Sequence, residues 1–461
     1  MNHPQPFLMY ENNEKCDPEC AVGQLLRDLF NRLDREGVVY AVLRNYTTLP
    51  DKPGRDLDIL TNDYEKFHKI LRQLAEQHHY YLKIFRRYAS LVKFQLIRLW
   101  PEDYKVVEID VGWDIQWKGL PLISNYILNN NRLWRKEFYT LQPGPEAAIS
   151  LIKGLIGGAV QERYKPEIME MIRMDKDGFL RALAPVFGIT LASELAEMSL
   201  RSEWDRVDAL APQLRRQAVI RALRHRAMPQ IGRWAAFLWW NLWKFFRPSG
   251  LFVVLIGPDG SGKSTISAGL QKCLSPLFQG GKCFHAHFKN LPTLRDLARI
   301  LGYKVVPEAH KNEPVLAKLS QDGPRLGRIH SLIMLLYYTL DYLLGYPLII
   351  RSRGQGELII FDRYFYDYLI QSSLSLPYWL LNLMMRLIPK PDMVVYLKNR
   401  PEVILSRKPE LTRQELERQG GLCAQLISRL PQGKVVETTG TAGETTAKVA
   451  QILVAKICGQ K

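Results

Sequence analysis

The stretch Leu251–Thr265, LFVVLIGPDGSGKST, leaves the chain few folds to choose from. An apolar run comes first, of the kind that forms a strand buried on both faces. The next eight residues fit G-x-x-x-x-G-K-[ST], with Gly257, Gly262, Lys263 and Ser264 in the fixed places, and TISAGLQKCL continues with a helical pattern. Strand, glycine loop and helix in that order build a phosphate cradle. Gly257, Gly260 and Gly262 let the backbone around Ser261 turn so that several N–H groups converge on one anion. The helix adds its positive N-terminus. Lys263 reaches the β/γ phosphates, Ser264 can ligate Mg²⁺, and Thr265 is a further hydroxyl beside them. The expected cofactors are therefore ATP and Mg²⁺. The loop does not name the phosphoryl acceptor.

The remainder of 249–461 is the size of one α/β domain. Strand-like runs at Phe252–Ile256, Leu358–Phe361 and Met393–Leu397 alternate with helical segments, which predicts a doubly wound parallel sheet. In ELIIFDRYFYDYL the strand ends in Asp362-Arg363. A carboxylate at the tip of a neighbouring parallel strand is where a P-loop domain holds Mg²⁺ or its water, and the adjacent arginine can clamp a phosphate. Asp259 is an acid inside the loop itself. Arg407 and Lys408 follow the third strand in a charged, lid-like segment able to close over the transferring group.

GPDGSGKST, FDRY and the P-E-V-I-L-S-R run after VVYL resemble thymidylate kinase and related nucleoside monophosphate kinases, from Leu251 onward. The resemblance implies a P-loop kinase core. It places Asp259 near the acceptor phosphate and the metal, matches Asp362 and Arg363 to the family's Asp-Arg pair, and puts Arg407 in the lid region. The chain departs from that family in two segments. HAHFKNLPTLRDLA stands where Arg-Glu-Pro-Gly is usual, and FYDYLIQSS where a serine and then Ala-Tyr-Gln are usual. Those segments select thymine and its monophosphate, so the acceptor pocket is rebuilt; His285, His287 and Lys289 are candidates to line it. LDYLLGY and RKPELT extend the likeness to thymidylate kinase-like proteins with a long N-terminal extension, which are often associated with surface-polysaccharide gene clusters.

Two regions precede this domain. Residues 1–145 predict a small α/β unit: strands at Val38–Tyr46 and Leu57–Asn62, a helix in YEKFHKILRQLAEQHHY, and paired strands in SLVKFQLIRLW and YKVVEIDVGWD. Alternation along a strand puts Asp56 and Asp58 on one face, and Glu108 and Asp110 on one face of a later strand. Three carboxylates from two strands are a way to hold Mg²⁺ under a triphosphate, with Asp56, Asp58 and Asp110 as candidate ligands. The pattern resembles the nucleotidyltransferase superfamily. That superfamily's Gly-Gly or Gly-Ser turn is replaced by LRNYTTLPDKPGRD, in which Arg44 or Arg55 would grip phosphates. Residues 146–248 predict a helical connector. It ends in Arg215, Arg216, Arg221, Arg224, Arg226 and Arg233 and in Trp234, Trp239, Trp240 and Trp243. Packing between domains is the favoured role for 215–247, peripheral membrane contact the next, and nucleic-acid binding the third.

A net charge of +17 suits anionic partners without choosing among them. Six cysteines make no disulfide framework, and Cys16 and Cys20 lack the second pair a zinc site needs. MNHPQPFLMYENNEKCDPEC lacks a basic start and a signal-length apolar core. WAAFLWWNLWKFF is short for a membrane span, and SLIMLLYYTLDYLLGYPLII, broken by Asp341 and Gly-Tyr-Pro, reads as a buried helix. These features predict a cytoplasmic enzyme, monomer or dimer, with a nucleotide and a small-molecule acceptor as partners. The leading expectation is an ATP- and Mg²⁺-dependent kinase acting on a small phosphorylated or hydroxylated acceptor. The alternatives are a bifunctional nucleotidyltransferase/kinase and a regulatory P-loop NTPase.

Overall fold

The computed structural model describes residues 18–52, 54, 56–99, 104–285, 288, 291, 328–371, 377–407 and 411–459. Arg55, Cys16, His287, Lys289 and Lys408 lie outside the described residues, as do the side chains of Cys20, Arg221, Arg224 and Arg226. The chain divides into two compact units at Trp243/Lys244.

The first unit contains α1 (Pro18–Arg35), β1 (Tyr40–Leu43), β2 (Asp56–Thr61), α2 (Tyr64–Gln77), β3 (Tyr81–Arg87), β4 (Leu91–Leu99) and β5 (Tyr104–Gly112). A hairpin of β6 (Asp114–Trp117) and β7 (Leu120–Ser124) follows, then β8 (Arg132–Arg135) and β9 (Phe138–Leu141). Helices complete it: α3 (Pro143–Gly157), α4 (Lys165–Met174), α5 (Lys176–Phe187), α6 (Ile189–Leu200), α7 (Trp204–Ala209) and most of α8 (Ala211–Phe246). Seven strands form a mixed sheet in the order β3-β4-β5-β2-β1-β9-β8. Strand alternation feeds two cores. Tyr40, Val42, Leu57 and Ile59 pack with α1 and α2, while Ala41, Leu43 and Leu60 pack with residues of α3 to α8. Residues of the 146–248 stretch thus share a core with the sheet. β1 is shorter than the predicted Val38–Tyr46 because Arg44 and Asn45 take left-handed backbone conformations, with φ of 60° and 52°, that end the strand.

α8 packs by its own aromatic residues against this unit. Gln230 Nε2 donates to Gly119 O at 3.0 Å in the β6–β7 turn, and the Arg87 guanidinium lies 4.5 Å over the Trp240 ring. A Cβ on Gly119 would meet Arg233 O at 3.1 Å and Trp234 Cδ1 at 3.3 Å, so the helix and the turn approach closely at a residue that also needs positive φ.

The second unit contains β10 (Leu251–Ile256), α9 (Lys263–Cys273), β11 (Gly281–His285), α10 (Arg328–Gly354), β12 (Leu358–Asp362), α11 (Phe365–Gln371) and α12 (Tyr378–Leu387). β13 (Met393–Lys398), α13 (Pro401–Arg407), α14 (Arg413–Arg429), β14 (Gly433–Glu437) and α15 (Ala442–Ile457) complete it. Its five strands are all parallel, in the order β11-β12-β10-β13-β14. Every residue of β10 is buried, as an apolar run in the middle of a covered parallel sheet must be. β10 lies where the strand order reverses, and the crevice beyond such a strand's carboxyl end is the usual ligand site of this architecture. This is a doubly wound parallel α/β fold with a phosphate loop after its central strand.

The apolar helix α10 differs from the sequence expectation of a wholly buried element. Leu335, Tyr342 and Ile349 are buried, whereas Ile333, Leu336, Leu340, Leu343 and Leu344 are exposed. A helix lying on one side of a sheet buries a stripe, and the described residues leave the other face uncovered. Asp341, the acid in its middle, is buried and accepts N–H bonds from Phe288 at 2.8 Å and Leu291 at 3.3 Å. No described helix is long and apolar enough to cross a membrane. Cys273, Cys283, Cys423 and Cys458 are free thiols.

Candidate active site

The phosphate loop joins β10 to α9. Gly257 has φ of 152°, and a Cβ there would stand 2.8 Å from Ser261 Oγ and 3.0 Å from Leu397 O; only glycine fits. Gly262, at φ 93°, has open space around it and is required for its backbone alone. α9 begins at Lys263, so its first N–H groups point from the loop with no intrahelical partner.

Lys263 is buried, and its Nζ donates to Gly257 O at 2.7 Å and Pro258 O at 3.0 Å. Asp259 Oδ1 lies 3.6 Å from the same ammonium and forms an ion pair with Arg363. Register sets Leu255 of β10 beside Asp362 of β12, which delivers the β12 carboxylate to the loop. Ser264 Oγ donates to Asp362 Oδ2, and His285 Nδ1 at the end of β11 lies 3.5 Å from that oxygen. Burial pushes Asp362 up, but the His285 hydrogen bond, the Lys263 charge and the Ser264 hydroxyl together hold it below the usual carboxylate range. Arg363 follows with φ of 68°, a left-handed conformation that is strained for a non-glycine residue.

These groups line a cleft of about 520 Å³ with Gly260, Ser261, Gly262, Thr265 and Arg407. Arg407, the last residue of α13, is exposed at its edge. The cleft also gains Thr438, Gly440 and Thr445, which the sequence reading passed over. Their signal is the small-residue turn TTGTAGET between β14 and α15, where Thr441 and Glu444 form a reciprocal capping box.

The donor set suits Mg²⁺. Asp362 Oδ1 is buried without a hydrogen-bond partner among the described residues, and Ser264 presents a second hard oxygen beside it. Magnesium usually takes one or two protein oxygens, its remaining positions going to water and phosphate.

The first unit tells otherwise. Parallel register sets Asp58 opposite Asp110 and Asp56 opposite Glu108. Asp58 and Asp110, both buried, are paired to cations of the same unit: Arg44 and Lys153 contact Asp58, and Lys93 contacts Asp110. Burial pushes Asp58 up, but Lys153 and Arg44 more than offset it, so its carboxyl sits below the ordinary value. Burial raises Asp110 to about 6 despite Lys93. Gln95 Nε2 donates to Glu108 at 2.9 Å. Among the described residues no three His, Cys, Asp or Glu side chains converge on a metal position. The expected site of Asp56, Asp58 and Asp110 does not fit Mg²⁺ in this arrangement, because three amino-acid cations already hold two of the acids. Arg44, one of the two arginines expected to grip a triphosphate, is paired with Asp58.

No protein-family model and no curated protein matches the chain. Among solved structures it is similar to thymidylate kinase from Ehrlichia chaffeensis at 17% identity over 45% of this chain and 100% of that one, with a TM-score of 0.32. It is also similar to thymidylate kinase from Candida albicans at 19% identity over 46% of this chain and 94% of that one, with a TM-score of 0.33.

Proposed function

We propose that the second unit is an ATP- and Mg²⁺-dependent phosphotransferase of the nucleoside monophosphate kinase-like group, moving the γ-phosphoryl group of ATP to a nucleotide or another small phosphorylated or hydroxylated acceptor. The observation that carries this reading is the meeting of Ser264 and Asp362, 98 residues apart, beside a glycine loop at the tips of adjacent parallel strands. Bound there, Mg²⁺ would supply charge neutralisation at the β and γ oxygens. The chain's own residues do the rest. Loop N–H groups and the α9 terminus hold the phosphates. Lys263, now turned back onto loop carbonyls, follows the charge that develops between the β and γ positions. Arg363 and Arg407 stabilise the equatorial oxygens from two sides, and Asp259 fixes the Arg363 head. Positioning and electrostatics account for most catalysis of this kind.

ADP formation from ATP, measured with nucleoside monophosphates, sugars and sugar phosphates as acceptors, tests the proposal. The native chain is expected to turn over ATP and Lys263→Ala to fail; equal turnover by the two refutes the assignment. A regulatory NTPase would instead hydrolyse ATP at a rate no acceptor changes.

A further inference from the structure

β11 ends at His285, which parallel register sets beside Asp362 at the end of β12. Paired positions on neighbouring strands share a face of the sheet, so the imidazole and the carboxylate leave the strand ends together. One step earlier in the same register, Phe284 stacks on Phe361 with ring centroids 5.0 Å apart, which pins the end of β11 to β12. The sequence offers His285 as a lining of the acceptor pocket. The structure sets it in the phosphate cleft, with Nδ1 3.5 Å from Asp362 Oδ2. The His285 side chain is 56% exposed and that of Asp362 4%, so removing the imidazole opens no cavity in the core.

The two oxygens of Asp362 stand in different surroundings. Oδ1 is buried and has no hydrogen-bond partner among the described residues. Oδ2 accepts from Ser264 Oγ and faces the His285 ring. Under the kinase reading Ser264 is asked for twice, as a donor to Oδ2 and as an oxygen for Mg²⁺. The last torsion of an aspartate side chain is broad, so a firm donor at one oxygen is what decides how the other is aimed. The nearby cations are committed elsewhere. Lys263 Nζ donates to Gly257 O at 2.7 Å and Pro258 O at 3.0 Å, and Arg363 is paired with Asp259. His285 is the group placed to supply that donor, from an Nδ1 that carries the proton. A separation of 3.5 Å is long for such a bond, and bonds of this kind tighten as the reacting complex forms.

We propose that His285 is a positioning residue for the metal: its Nδ1–H holds Asp362 Oδ2 and so keeps Oδ1 turned toward Mg²⁺. The proposal rests on the kinase reading of this cleft. In this role the imidazole makes no bond to the metal and carries no proton in the transfer. Groups that orient a ligating carboxylate in this way contribute about 10–100-fold to metal affinity. A residue that only lined the acceptor pocket would leave metal affinity alone and change the acceptor KM.

The full chain, His285→Ala and His285→Asn are compared in binding of a fluorescent ATP analogue, read by anisotropy as MgCl₂ is added. Asparagine offers an N–H donor close to the Nδ1 position, and alanine offers none. His285→Ala is expected to need about 10–100-fold more Mg²⁺ than the native chain for half of its metal-dependent binding. In EDTA it should bind the analogue as the native chain does, since the loop itself is untouched. His285→Asn should recover most of the loss. Equal Mg²⁺ requirements in the native chain and His285→Ala overturn the proposal. A loss that His285→Asn shares in full overturns it too, as does a changed acceptor KM at an unchanged Mg²⁺ requirement, which would give His285 to the acceptor pocket. Failure of the native chain to bind the analogue at any Mg²⁺ concentration overturns the kinase reading itself, and the positioning role with it.

Discussion

The chain carries buried acids on parallel strands twice, and the two sets behave in opposite ways. In the first unit Asp58 and Asp110 face each other across β2 and β5 and are paired to Arg44, Lys153 and Lys93. In the second, Asp362 keeps one buried oxygen, and Arg363 two buried nitrogens, without a partner among the described residues. A set whose carboxylates are all paired to cations within it is an element of structure, even though Arg44 Nε stays buried without a partner among the described residues. A set that leaves a carboxylate oxygen open beside a phosphate loop has the makings of a receptor, because a buried carboxylate oxygen is costly unless a cation or donor meets it. The same residue type on the same kind of strand therefore has two meanings, and its neighbours decide which.

The largest effect expected from breaking this contrast is loss of phosphoryl transfer. Lys263→Ala should lower acceptor-dependent ADP formation by at least about 10²–10³-fold with little change in melting temperature. Asp58→Ala should do the reverse. It leaves Arg44 and Lys153 without their carboxylate and should cost the first unit about 3–5 kcal/mol, read by denaturant unfolding, while ATP turnover at low temperature is kept. Loss of turnover with intact stability would make Asp58 a reactive group after all. A finer test uses magnesium. Asp362→Asn should raise the Mg²⁺ concentration needed for ATP binding at least about tenfold, and Asp110→Asn should leave it unchanged.

The smallest effect is a pH dependence. The folded-state value of Asp367, about 7, lies above the ordinary aspartate value of 3.8, so between those values the folded protein keeps a proton that the unfolded chain gives up. That stabilisation is full below pH 4 and is lost as pH rises toward 7. Asp367→Asn escapes the loss. Its melting temperature should match the native one at pH 4 and exceed it by a few degrees at pH 8, which differential scanning calorimetry would read.

How much of this was legible in the sequence follows from distance along the chain. The loop was readable because strand, glycines, Lys263 and Ser264 are contiguous. Asp362 was readable because its strand is apolar and ends abruptly. β11 and β14 were not, since their residues are largely exposed or half-buried at the two edges of the sheet and lack a continuous apolar run. The partners of Asp58 were hidden for another reason: Arg44 lies 14 residues away and Lys153 lies 95 away, and nothing local links them. Alternation put the acids on a shared face, but cations arriving from β4 and α3 decide what the acids do. The apolar run in α10 overstated burial because composition counts all faces of a helix, while a sheet covers one.

The φ of 68° at Arg363 makes that position a place where two kinds of selection disagree. The backbone there favours a residue without a Cβ, and the cleft favours a guanidinium. In a library randomised at 363, selection for folding alone should enrich glycine and asparagine, whereas selection for phosphoryl transfer should return arginine. The identity of one residue then records which of the two has acted on the protein.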